Sequence, residues 1–143
     1  MKLLKQTTFI ISVLFLLSSF TKIEDKSYVG KWKGEDKGDI GFLILSKEGY
    51  ATFEFEGQAM GGKSYNHKGI EASMKYIVNT SSKPYAIDFI ITNLSNDEEL
   101  GRLIGIIEMN DKSTMKMALT FGGGSERPSD FSQDAITFNR FKE

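Results

Sequence analysis

The chain of 143 residues contains no cysteine, only two prolines, one tryptophan and one histidine. Without cysteine, no disulfide can cross-link the fold and no thiolate can bind a metal, so stability has to come from the hydrophobic core. A lipid anchor on a cysteine is excluded for the same reason. An excess of positive charge is also lacking, because the net charge is −1 and the basic residues are scattered singly. We therefore expect no nucleic-acid partner.

Residues 1–21 have the composition of a secretory signal peptide. Lys2 and Lys5 make a basic start, and an apolar run follows at 9–20, with small residues near its end for cleavage. The run is shorter than the ~20 apolar residues that a membrane-spanning helix needs. We therefore expect a cleaved signal, a spacer at 22–27 and one domain at 28–143. The mature protein is expected to be secreted or periplasmic, with no membrane attachment after cleavage.

Aromatic residues and glycines are plentiful, with 11 Phe, 5 Tyr and 14 Gly, a mixture that favours strands and tight turns. Ala51, Phe53 and Phe55 alternate with polar residues, which is the period of a half-buried strand. A glycine-rich polar stretch at 57–69 has room for one short irregular strand near 63–68. Strand-like segments of this kind lie at 28–34, 40–46, 50–56, 70–80, 85–93, 101–109, 113–121 and 134–142.

These segments predict an all-β fold with eight antiparallel strands joined by short polar turns. Short connections between successive strands favour an up-and-down barrel, whose closure removes exposed sheet edges. A barrel of eight strands can be filled by side chains or can hold one small ligand. A two-sheet sandwich is the alternative. No helix is expected after the last strand.

A set of local motifs resembles the lipocalin pattern, and in particular small secreted lipocalin-like bacterial domains. Gly30-x-Trp32 stands on the first strand and Arg140 on the last. The resemblance implies that Arg140 packs across Trp32 at one barrel end, while Gly30 allows close backbone approach there. Such a contact would close the barrel, since an indole face attracts a guanidinium. The other motifs are Lys83-Pro84-Tyr85-Ala86-Ile87-Asp88, Gly105-Ile106-Ile107-Glu108 and Arg127-Pro128-Ser129-Asp130-Phe131.

The function expected from this resemblance is non-catalytic binding of a small apolar or amphipathic ligand inside the barrel. Tyr76 and Arg127 are the candidate polar groups of the pocket, because apolar pockets carry a few placed polar groups. The alternative is a structural or interaction module whose interior is filled and which acts through its surface, with no specified protein partner. The apolar candidates for the ligand site are Phe53, Phe55, Met74, Phe89, Met115, Met117 and Phe121.

Catalysis, a metal and a cofactor are not expected. His67 is the sole histidine, so a histidine-rich metal site cannot form and a catalytic triad would depend on this one residue. Glu54 and Glu56 lie opposite two phenylalanines, which indicates a solvated outer face. The glycine run at 122–124 has no Gly-Lys-Ser/Thr motif for phosphate binding. No catalytic residue is therefore proposed from the sequence.

Overall fold

The computed structural model describes residues 26–120 and 125–142. Every regular element in these residues is a β-strand, and all the strand pairs are antiparallel. This part of the chain contains no helix that is long and apolar enough to cross a membrane. The strands are β1 Gly30–Asp36, β2 Asp39–Leu45, β3 Ala51–Phe55, β4 Gln58–Gly61, β5 Tyr65–His67, β6 Ile70–Asn79, β7 Tyr85–Asn93, β8 Glu99–Met109, β9 Thr114–Thr120 and β10 Ile136–Arg140.

The ten strands form one sheet in the order β4-β3-β2-β1-β10-β9-β8-β7-β6-β5. Each strand from β1 to β4 and from β5 to β10 lies beside its neighbour in sequence, as in an up-and-down meander. The first strand also pairs with the last, with Trp32 opposite Arg140 and Gly34 opposite Phe138. The two ends of the meander are therefore joined by backbone hydrogen bonds.

The remaining gap lies between β4 and β5, which are the two edges of the sheet. Tyr50, just before β3, forms an isolated antiparallel bridge with Lys75 of β6. The amide of Gly62 donates to the carbonyl of Ala51 at 2.7 Å, and the amide of Met74 donates to the carbonyl of Gly62 at 2.9 Å. These bonds connect β3 to β6 beyond the edge strands, so the barrel is nearly closed.

The prediction of an all-β up-and-down barrel is confirmed, but the predicted number of strands is not, since the sheet has ten rather than eight. The additional strands, β4 and β5, both lie within the glycine-rich stretch 57–69; β5 falls where one short irregular strand was expected near 63–68, whereas β4 was not predicted. Short edge strands have few apolar residues, and Met60 is the one large apolar side chain of β4. Backbone hydrogen bonds with β3 and β6 define these strands. Such bonds do not require apolar and polar side chains to alternate, so the sequence shows no period of two here.

The barrel has two ends that differ in their packing. The connections β2–β3, β4–β5, β6–β7 and β8–β9 lie at the end called here the Trp32 end, and the other connections lie at the far end. Burial of apolar side chains supplies most of the stabilising free energy of such a domain. The fully buried large side chains are Trp32, Leu43, Leu45, Met74, Ile87, Phe89, Ile107 and Met115.

Candidate functional site

Trp32 and Arg140 meet at the Trp32 end of the barrel. The guanidinium carbon of Arg140 lies 4.3 Å from the centre of the fully buried indole. Nη1 of Arg140 donates to the carbonyl of Val29 at 2.9 Å, and Nε donates to the carbonyl of Lys112 at 2.7 Å. The indole Nε1 donates to the carbonyl of Tyr28 at 2.9 Å. One side chain thus holds the segment before β1, the β8–β9 turn and the indole together.

Gly30 leaves the space that Arg140 occupies. A Cβ at this position would stand 2.5 Å from Nη1 of Arg140, and the backbone there has φ +142°. Both features exclude a side chain, because real Cβ atoms do not approach so closely and L residues rarely adopt that φ. The glycine, the tryptophan and the arginine therefore form one contact that unites the first strand with the last.

Tyr76 also lies at the Trp32 end. Its hydroxyl donates to the carbonyl of Ser46 at 2.7 Å, and its ring meets Tyr28 edge-on with centroids 6.1 Å apart. Burial, followed by the proximity of Tyr28 and Glu48, raises the pKa of Tyr76 to about 12. The phenol is therefore neutral at physiological pH and acts as a hydrogen-bond donor.

An apolar pocket opens at the far end of the barrel. Its volume is about 120 Å³. The walls come from five strands of the inner face, and Phe55 and Met60 at the mouth are 49% and 42% exposed. Large apolar side chains left exposed beside a cavity are a recognised mark of binding sites. The lining residues are Phe53, Phe55, Met60, Leu103, Met117, Leu119, Asp134, Ile136 and Phe138.

Three inward-facing glycines make room for the walls of this pocket. A Cβ on Gly41 would lie 2.3 Å from the ring of Phe55, and one on Gly34 would lie 2.7 Å from the ring of Phe138. A Cβ on Gly105 would lie 2.5 Å from Leu119 and 2.4 Å from a backbone oxygen. Strand glycines of this kind mark close approach of neighbouring groups. The side chains of Phe55, Phe138 and Leu119 can lie close against the neighbouring strands because these three positions have no side chain.

The structure brings together some of the predicted ligand-site residues and separates others. Phe53, Phe55 and Met117 line the pocket. Met74, Phe89 and Met115 are fully buried in the core and do not line it. Phe121 lies outside the described residues. The pocket therefore occupies one end of the predicted inner face, and the rest of that face is packed.

Arg127 lies on the outside of the barrel and does not line the pocket. Its Nη1 donates to the carbonyls of Gly105 at 2.8 Å and Ile87 at 3.2 Å, and its Nη2 pairs with Asp88 at 2.8 Å. The arginine thus anchors the β9–β10 connection to β7 and β8. Tyr76 is likewise absent from the pocket walls, so neither predicted polar group faces the cavity.

Several lining residues were not among the sequence candidates. Strand alternation puts Leu119, Ile136 and Phe138 on inner faces, so that signal was present in the sequence. Leu103 lies in a segment that is apolar on both sides, where alternation cannot assign a face. Met60 belongs to a strand that the sequence pattern does not reveal. Asp134 stood at the start of the last predicted strand, 134–142, whereas the structure begins β10 at Ile136 and leaves Asp134 in the connection before it.

No group of three or more His, Asp or Glu side chains suited to a metal ion occurs within the described ranges. Nδ1 of His67 and the hydroxyl oxygen of Tyr65 are 3.2 Å apart and share a hydrogen bond, whose donor depends on the histidine tautomer. Comparison with protein-family models, curated proteins and solved structures found no match to this chain. The barrel is compatible with a lipocalin-like fold, and any function has to be inferred from the pocket itself.

Proposed function

We propose that this protein is an exported, lipocalin-like barrel that binds a small apolar or amphipathic ligand without catalysing a reaction. The observation that supports this proposal is the apolar pocket at the far end, with Phe55 and Met60 exposed at its mouth. Exposing such side chains to water is unfavourable, and a bound apolar group would remove that cost. The composition of residues 1–21 supports export to a periplasm or to the medium.

The size of the pocket limits what can enter it. An engineered protein cavity of about 150 Å³ takes up benzene, and the pocket here measures about 120 Å³. Complete small-molecule sites are usually ~300–1,000 Å³. The pocket therefore fits one small ring or the end of an alkyl chain. Because its mouth is open at Phe55 and Met60, the rest of a longer ligand would lie outside the barrel.

A second candidate is a structural or interaction module whose barrel is filled. The packed interior favours it, since Trp32, Met74, Phe89 and Met115 are fully buried and the apolar pocket occupies the far end alone among the described residues of the inner face. Such a protein would act through its loops and outer surface, and the pocket would be a shallow feature of the barrel end. The two candidates differ in whether an apolar molecule enters the far end.

Binding of a hydrophobic fluorophore to the purified mature protein tests the proposal. Met60→Lys places a charge at the pocket mouth, where the side chain is already 42% exposed, so the fold should tolerate it. Ile77→Lys is the matched control, because Ile77 is 58% exposed on a strand and does not line the pocket. We expect saturable uptake by the parent and the control, with at least a tenfold loss in Met60→Lys.

The filled-barrel candidate predicts a different outcome. The parent would show no saturable uptake, or the two lysine variants would bind equally because the dye associates with exposed apolar surface in general. Thermal unfolding of both variants would establish that they are folded before their binding is compared.

A further inference from the structure

Among the described residues that line the pocket, Asp134 is the single ionisable one, and the others are all apolar. It stands in the β9–β10 connection, and its side chain forms no hydrogen bond or ion pair with other residues in the described ranges. A carboxylate without a cationic partner at the rim of an apolar cavity is electrostatically complementary to a positive ligand group. Within the part of the chain that the structure describes, no lysine or arginine lines the cavity to hold an anion.

The connections around the pocket, like Asp134 itself, carry mainly negative charge. Connections at the far end contain more acidic than basic side chains, whereas those at the Trp32 end contain more basic ones. Side chains of one sign gathered at one end create a field that attracts ligands of the opposite sign. The far-end connections carry Glu56, Asp97, Glu98, Glu126, Asp130 and Asp134 against Lys37, Lys68 and Arg127.

Arg127 borders a neighbouring polar groove together with Asp130 and Asp134, but it does not line the apolar pocket. Its guanidinium is bound on the outer face to Asp88 and to the carbonyls of Ile87 and Gly105. The carboxylate of Asp130 accepts hydrogen bonds from Ser132 and likewise does not line the cavity. Among the described residues, Asp134 is therefore the one acidic side chain at the edge of the apolar pocket, and it is exposed to solvent there.

We propose that the ligand is a cationic amphiphile, an apolar chain or ring that carries an ammonium-type group. The apolar part fills the cavity between Phe53, Met117 and Phe138, and the cation rests against Asp134 at the rim. An anionic head group at the same place would face the carboxylate and would be disfavoured. This inference rests on the proposed function, since it requires that an apolar group occupies the pocket.

Three ligands with the same alkyl chain separate the head-group preference from apolar binding. Octylammonium, octanol and octanoate carry positive, neutral and negative heads at pH 7, and their binding to the mature protein is measured by calorimetric titration. We expect octylammonium to bind about two- to fivefold more tightly than octanol, the range for an exposed ion pair, and octanoate to bind most weakly. Raising the ionic strength to ~1 M should reduce the difference.

Asp134→Asn should bring the affinity for octylammonium close to that for octanol. Asp130→Asn is the matched control, since it removes the same charge from the same connection and its amide oxygen can still accept from Ser132. We expect the control to retain most of the preference for the cation.

The remaining outcomes contradict the inference in distinguishable ways. If all three ligands bind with equal affinity, or octanoate binds most tightly, the cationic preference is wrong although the proposed function stands. If Asp130→Asn removes the preference as fully as Asp134→Asn, the general field and not the rim carboxylate is responsible. If no ligand binds, both this inference and the proposed function fail.

Discussion

Arg140 shows how one residue can close a barrel. Its side chain lies over Trp32 and donates to backbone carbonyls of Val29 and Lys112, which lie far apart in sequence. A cation over an aromatic face is stabilising by about 0.5–2 kcal/mol, depending on burial. Hydrogen bonds from a charged donor contribute further. The contact depends on Gly30, because a side chain at that position would displace the guanidinium.

Gly30→Ala should lower the free energy of unfolding by about 1–3 kcal/mol, the usual cost of overpacking a tight site. The added methyl would meet Arg140, so its cost should be smaller when Arg140 is already alanine. Chemical unfolding of the parent, the two single variants and the double variant measures this coupling. Strictly additive effects would show that the glycine and the arginine act independently.

The raised pKa of Tyr76 predicts that the folded protein loses stability at alkaline pH. Its pKa in the folded protein is raised to about 12, above the ordinary value of 10.0, so folding disfavours the phenolate. The stabilisation is therefore complete below pH ~10 and is lost as the pH rises towards ~12. Because the side chain is only half-buried, solvent screening limits the expected loss to on the order of 1 kcal/mol.

Unfolding midpoints of the parent and Tyr76→Phe, measured between pH 9 and pH ~12, check this expectation. The variant lacks the ionising phenol and should lose less stability across that window. Parallel curves for the two proteins would mean that Tyr76 ionises as easily in the folded as in the unfolded chain.

The β9–β10 connection packs against the outer face of the barrel. Arg127 binds to β7 and β8, and Lys116 of β9 lies 5.6 Å from the ring centre of Phe131. Ile106 of β8 and Ala118 of β9 lie opposite each other in the sheet. Both of these residues are buried although they alternate with inward-facing neighbours. Because the side chains of these two residues point to the outer face, their burial indicates that the connection covers this part of it.

Arg127→Met should release the connection from the barrel wall. Arg102→Met is the matched control, because Arg102 also pairs with Asp88 and its other ion pair, with Glu99, is exposed. We expect faster amide hydrogen exchange at 125–135 in the first variant and little change in the second, since exposed ion pairs contribute only ~0–1 kcal/mol. Equal exchange in both variants would argue against an anchoring role for Arg127.

The sequence predicted strands where alternation was strong, and it failed where pairing alone defines a strand. Phe53 and Phe55 in β3 follow the period of two, whereas β4 and β5 have no such pattern. The candidate site was predicted in part for a related reason. Alternation assigns a side chain to the inner face, but it does not show how far along the barrel axis, between the two ends, that side chain lies. Met74 and Met117 were therefore equivalent in the sequence, although one is core and the other lines the pocket.

At the scale of the whole molecule, the two barrel ends have different properties. The Trp32 end is closed by the Trp32–Arg140 contact, and its connections are rich in lysine. The far end contains an apolar cavity of about 120 Å³ whose rim carries Asp134. A packed core at one end gives the domain stability without disulfides, and the open end contains the cavity in which we propose that a ligand binds. Ligand binding should therefore alter the far end and leave the core unchanged.

The most direct test of the binding proposal is an NMR titration of protein labelled at its methionine methyl groups. Met60 and Met117 line the pocket, whereas Met74 is fully buried elsewhere and Met109 packs against the core at the Trp32 end. Addition of octylammonium should shift the Met60 and Met117 signals in a saturable manner and leave Met74 and Met109 in place. Unchanged signals from Met60 and Met117, or shifts at Met74 and Met109 as large as those at Met60 and Met117, would contradict binding in the far-end pocket.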